Sequence, residues 1–195
     1  MLDKSLEPRA LLLIDHLVRL STLRDRDALL GSMTRAMSET VAALEVTTYS
    51  LVLDEDQQYW MPLTACHAGG AVRVVTDQLR ADVTSMMPVG SDPLRLRSVE
   101  SSEMVFSAPE AGQQHWRTVF PVVLSNENAI WGVVEFLSEQ ALTAGDLVAA
   151  SRLLQVFCNM LDVLDYSECD ALTGLWNRKS FEDLFFKTMP SMEAS

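Results

Sequence analysis

The stretch HWRTVFPVVLSNENAIWGVVEFL, residues 115–137, is two apolar runs around a polar tetrapeptide. Val, Phe, Trp and Ile fill the runs, and Ser125-Asn126-Glu127-Asn128 supplies turn-forming side chains, so the stretch predicts an antiparallel hairpin with strands at 115–124 and 129–137. Pairing Leu124 with Ala129 in a regular ladder sets Val122 opposite Trp131, Phe120 opposite Val133 and Thr118 opposite Glu135. One face then carries Trp116, Thr118, Phe120, Val122, Trp131, Val133 and Glu135. A carboxylate beside a threonine on an aromatic face has the make-up of a ligand-polarising site, which makes Trp116, Thr118, Trp131 and Glu135 the candidate ligand-binding residues. The alternative is that Glu135 reaches water or an arginine such as Arg95 or Arg97, because a buried carboxylate needs a partner. Any pocket is expected between this face and the irregular segment 67–112.

Upstream, Val46 to Leu53 and Tyr59 to Cys66 flank Asp54-Glu55-Asp56 and predict a second hairpin. Gly69-Gly70, Met86-Met87-Pro88 and Ser91-Asp92-Pro93 punctuate the segment that follows, with a short helix around Leu94 to Val99. Helices bracket these strands. In 5–21, Leu6, Ala10, Leu13, Leu17 and Leu20 make an a/d seam, and Leu29, Leu30, Met33, Met37, Val41 and Leu44 make a second helix of 25–44 amphipathic. A last helix, 143–168, has Asp146 in its first turn and the seam Leu147, Ala150, Leu154, Phe157, Leu161 and Leu164.

Composition narrows the function classes. The 195 residues hold 15 Lys+Arg against 27 Asp+Glu, a net charge of −12, which repels phosphate backbones and anionic lipid heads. No nucleic acid and no membrane are expected as partners. The N-terminus lacks a basic region before an apolar run, and no stretch reads as a membrane helix of roughly 20 apolar residues, so a cytoplasmic location is expected. Cys66, Cys158 and Cys169 show no C-x-x-C spacing, and no two of His16, His67 and His115 have the spacing of a metal site.

The order helix, helix, hairpin, irregular segment, hairpin, long helix resembles a GAF domain, an α+β sensor fold related to PAS, with an antiparallel sheet, flanking helices and a long C-terminal signalling helix. Ser91-Asp92-Pro93-Leu94, Val119-Phe120-Pro121-Val122 and Ile130-Trp131-Gly132-Val133-Val134-Glu135-Phe136 carry the likeness. Further on, Asp170-Ala171-Leu172-Thr173-Gly174-Leu175-Trp176-Asn177-Arg178-Lys179-Ser180-Phe181 resembles the D-x-L-T-G-L-x-N-R-R-x-F opening of a GGDEF domain, with Lys179 in place of the second Arg. GGDEF domains join two GTP molecules into cyclic di-GMP, and their metal-binding carboxylates and signature loop lie downstream of this opening. The resemblance therefore implies an N-terminal dimerisation helix at 1–23, a GAF sensor domain at 24–142, a signalling helix at 143–169 and the truncated start of a GGDEF domain at 170–195.

By that likeness the chain is the regulatory part of a diguanylate cyclase and is not itself an enzyme; Mg and GTP belong to the missing catalytic half. No cofactor is expected here, while an unknown small-molecule ligand is allowed for. Because the reaction unites two GTP-bearing domains, a parallel homodimer is expected, with Leu13, Leu17, Leu147, Leu154, Phe157 and Leu161 at its interface. Two alternatives stay open. One is a GAF domain that only dimerises. The other is a bilin, haem or metal sensor, since Cys66-His67 is similar to the bilin-bearing dipeptide of phytochrome-like GAF domains, although it ends the first hairpin here.

Overall fold

The structure, a computed structural model, describes residues 6–75, 86–109, 112–124 and 129–168. The Ser125–Asn128 turn and the motif at 170–181 lie outside them. In chain order the described elements are α1 (Leu6–Thr22), α2 (Arg26–Thr40), β1 (Glu45–Asp54), β2 (Gln57–His67), β3 (Arg73–Val74), β4 (Met87–Pro88), α3 (Pro93–Ser101), β5 (Val105–Ser107), β6 (Trp116–Leu124), β7 (Ala129–Ser138) and α4 (Ala144–Glu168). They form an antiparallel sheet in the order β3-β2-β1-β7-β6-β5, with β4 paired to β2. The fold is α+β, as the sequence pattern implies.

Local chemistry sets the element ends. Asp25 starts α2 by accepting a hydrogen bond from the Ala28 N–H at 2.9 Å. The helix stops at Thr40, short of the expected Leu44, because the next backbone donors turn elsewhere: the Ala42 N–H donates to Asp146 Oδ1 at 3.2 Å and the Leu44 N–H to the Leu137 carbonyl at 2.7 Å. Thr143 and Asp146 cap α4 reciprocally, Asp146 N–H donating to Thr143 Oγ1 and Thr143 Oγ1 to Asp146 Oδ2.

The sheet separates two cores. On one face α2 lies over β1 and β2 and α4 over β6, while α1 packs on both helices. Leu29, Met33, Met37, Val46, Phe120, Phe136, Leu153, Phe157 and Leu161 fill this larger core. The other face carries a smaller core beneath α3, made by Trp60, Val89, Leu94, Val119 and Val133.

Two expectations about the helices are corrected here. Leu154, Phe157 and Leu161 of the α4 seam are buried within their own chain, and Leu13, Leu17 and Leu147 pack against the same core. Within one chain these six residues are therefore cover for the sheet and its helices, Leu154, Phe157 and Leu161 fully and Leu13, Leu17 and Leu147 in part. The outward apolar stripe of α1 is instead Leu11, Ile14 and Val18, exposed by 63, 54 and 59%. Secondly, Ala144–Leu164 is long and apolar enough to cross a membrane by length and composition, contrary to the sequence expectation. Its apolar character has another use, because Ala150, Leu153, Leu154, Phe157, Leu161 and Leu164 face the core.

A third correction concerns register. Leu124 does pair with Ala129 and Val123 with Ile130, but Val122 then pairs with Gly132, so Trp131 is an extra, bulged residue. From there on Phe120 faces Val134, Val119 faces Glu135 and Thr118 faces Phe136. Side-chain alternation past the bulge is the opposite of the regular ladder. Gly132 is needed beside the bulge, where a Cβ would run into the Tyr49 carbonyl oxygen of β1.

Candidate functional site

The bulge divides the four expected ligand residues between the two sheet faces. Trp131 packs edge-on against Phe157 of α4, with ring centroids 6.0 Å apart, and Thr118 is buried on the same face as Phe120 and Phe136. Trp116, two residues before Thr118, belongs to this face by alternation and has Phe106 beside it, at 6.4 Å between rings. Glu135 lies on the other face, under α3. The four do not form one site.

What surrounds Glu135 is a charged cluster assembled from three elements. Its Oε2 accepts from Arg95 Nε and its Oε1 from Arg117 Nε, each at 2.6 Å, and Arg117 Nη2 also donates to Asp92 Oδ2 at 2.6 Å. Asp92 caps α3 by accepting from the Arg95 N–H at 3.1 Å, with Pro93 opening the helix after it. The Arg95 guanidinium stacks 3.6 Å above the Tyr49 ring of β1. Arg95 and Glu135 are each 95% buried or nearly so, at 5% exposure. The arginine alternative raised for Glu135 is thus what the geometry contains.

Burial alone would raise the Asp92 pKa, but the hydrogen bond from Arg117 and the Arg95 backbone N–H outweigh it and hold this carboxyl below its ordinary 3.8. Burial also works against the charged form of Arg117, and Glu135 and Asp92 together reverse that and keep it protonated. Tyr49 is pushed above its ordinary 10.0, first by burial, so its phenol is neutral. Two guanidiniums and two carboxylates leave the cluster balanced. One donor is left over: Arg95 Nη1 is buried without a hydrogen-bond partner. Chemically the cluster can clamp α3 to the sheet and offer one N–H to an acceptor. A neutral carbonyl suits that donor better than an anion, which Glu135 and Asp92 would repel.

Of these residues, only Glu135 was singled out from sequence for a role, with Arg95 as its alternative partner. Asp92 figured in the sequence only as part of the Ser91-Asp92-Pro93 break before a short helix, whereas Arg117 and Tyr49 join the site only once the bulge fixes which side chains share a face. Cys66 is the penultimate residue of β2 and is buried, its Sγ within 3.6 Å of the Gly70 carbonyl, and His67, which ends the strand, is exposed. Among the described residues no three of His, Cys, Asp and Glu gather as they would around a metal ion.

An open groove of about 280 Å³ lies on the α4 face. Met104 and Phe120 line it, one from each of the two segments expected to bound a pocket, but α4 forms the remaining wall and none of the four expected residues takes part.

No family model and no curated protein matches this sequence. Solved structures do match in shape. A protein described as a GAF sensor from Burkholderia vietnamiensis is similar with a TM-score of 0.58 at 12% identity, over 83% of this chain and 92% of that one. The free methionine-R-sulfoxide reductase of Neisseria meningitidis gives 0.60 at 12% identity, over 86% and 96%. The chromophore-binding domain of a bacteriophytochrome from R. palustris gives 0.63 at 12% identity, over 85% and 64%. A sensor, an enzyme and a photoreceptor share the architecture, so it does not decide among their activities. What the likeness establishes is the fold, and this chain has the fold of GAF domains.

Proposed function

We propose that this chain is the cytoplasmic sensory part of a diguanylate cyclase, in which a small molecule bound by the GAF fold sets the output of a cyclase domain joined at 170–195. The observation that carries the reading is α4 itself. It begins six residues after β7, the strand that holds Glu135, and its 25 residues, about 38 Å of helix, lead directly to the Asp170–Phe181 motif. Asp146 fixes the start of α4 both to Thr143 and to the backbone of Ala42. A shift of β7 against its neighbours would thus reach the helix with little slack, as expected of packed elements that exchange between discrete arrangements.

The same reading proposes a homodimer. Its seam is Leu11, Ile14 and Val18 on the outside of α1, since the inner seams are already occupied. A second copy of this chain is the natural occupant, because the reaction of the resembled cyclase unites two GTP-bearing domains. A second reading, a GAF fold that dimerises without ligand, is favoured by one feature: Trp60, Val89, Leu94, Val119 and Val133 fill the space between α3 and the sheet.

The decisive experiment joins residues 1–181 in register to a competent GGDEF catalytic domain and measures cyclic di-GMP formation. Rates that change at least several-fold when one residue is inserted into α4 near Asp162, where helical phase is altered, support control through the helix. Rates equal to those of the free catalytic domain, with or without the insertion, refute it. An absorbance spectrum of the purified chain tests for a bilin or haem.

A further inference from the structure

We infer that the groove between α4 and β6 binds a free, medium-chain amphiphilic carboxylate, and that Arg152 recognises its head. The floor is apolar, formed by Met104, Phe120 and Leu147, and the exposed Val148 extends it. Arg152 and Gln155 stand on the rim, joined by a hydrogen bond from Arg152 Nη1 to Gln155 Oε1 at 3.2 Å. No carboxylate neutralises Arg152 among the described residues, although the chain carries 27 acidic residues and a net charge of −12. An apolar trough ending at an unpaired guanidinium is complementary to one chemistry: an alkyl tail with an anionic head.

Size and charge narrow the occupant further. The groove, at about 280 Å³, sits at the lower limit of ligand pockets, roughly 300–1,000 Å³, so it suits a tail of modest length. An anionic bilayer is disfavoured by the charge of the whole chain, whereas a single small anion approaches Arg152 within a Debye length of about 8 Å at physiological salt, where its local field acts. The groove is distinct from the cluster under α3, being on the opposite face of the sheet. Because Leu147, Val148, Arg152 and Gln155 span the first three turns of α4, an occupant would bear on that helix directly, and binding does not depend on what the helix controls.

Sodium decanoate titrated into the whole chain, followed by calorimetry and by amide NMR, tests the inference. Saturable binding of one decanoate per chain is expected, with Arg152→Gln weakening it about five-fold and Val148→Glu abolishing it. Decanol, which keeps the tail and lacks the charge, should bind more weakly and ignore Arg152→Gln. Both substitutions are at exposed positions, and circular dichroism checks that they fold. Decanoate affinity unchanged in both variants would overturn the proposal, and so would uptake that never saturates. Two other occupants would also overturn it: self-association lost in Val148→Glu without decanoate binding assigns the groove to a second copy, and co-sedimentation with phosphatidylglycerol vesicles without decanoate binding assigns it to a membrane.

Discussion

Two guanidiniums share the Glu135 carboxylate, so its removal leaves the buried Arg95 without its 2.6 Å acceptor and Arg117 with Asp92 alone. Glu135→Ala should lower unfolding free energy by about 3–5 kcal/mol in urea melts, the cost of breaking a buried pair from one side. Asp92 gives a titration with a definite sign. Its folded pKa lies below the ordinary 3.8, so the stability it confers is complete above about pH 4 and disappears as pH falls through the lowered value. Asp92→Asn keeps a good helix cap while deleting the charge; the variant should be less stable than the parent at pH 7 and should show a shallower loss below about pH 4 in acid-denaturation curves. At this scale, residue type and one partner, Arg95, were readable from sequence, and the rest of the partnership was not. Glu135 announces itself as a carboxylate in a strand of valines, but Arg117 reaches it from 18 positions away and brings Asp92 with it, through a sheet register that no local pattern encodes.

The helices and the two long hairpins follow from periodicity, because amphipathic stripes and β-branched runs are local properties of a chain. The short β3, β4 and β5 did not, since strands of two or three residues are held by neighbours and have no pattern of their own. The α4 seam shows a deeper ambiguity: a stripe at steps of three and four says that a helix buries one face and leaves open against what. Its occupant is this chain's own sheet and α2. Leu161→Glu should therefore lower the melting temperature of the chain by ten degrees or more through a charge in the core, rather than merely separate two copies. Thermal melts at two protein concentrations distinguish these outcomes.

On the scale of the molecule, −12 of net charge makes any pairing of two copies depend on a locally apolar surface, and Leu11, Ile14 and Val18 provide one. Val18→Glu should shift light-scattering mass toward the monomer at micromolar concentration while leaving the melting temperature of the chain itself within about two degrees, as for a surface exchange. The overall architecture was readable because the order of elements is specific even where residues are not; the division of the sheet into a helix side and an α3 side was not, because a single bulge reverses it. That bulge has one more consequence. Take Trp131 out, and Val122–Gly132 and Val123–Ile130 become successive rungs of an unbroken ladder, with Glu135 still under α3. The indole is thus a supernumerary wedge, added to the cover of Phe157. A chain shortened by this one residue should still fold and keep its ionic clamp, about 3–5 kcal/mol less stable for the lost ring, and hydrogen exchange should speed up in α4 rather than in α3.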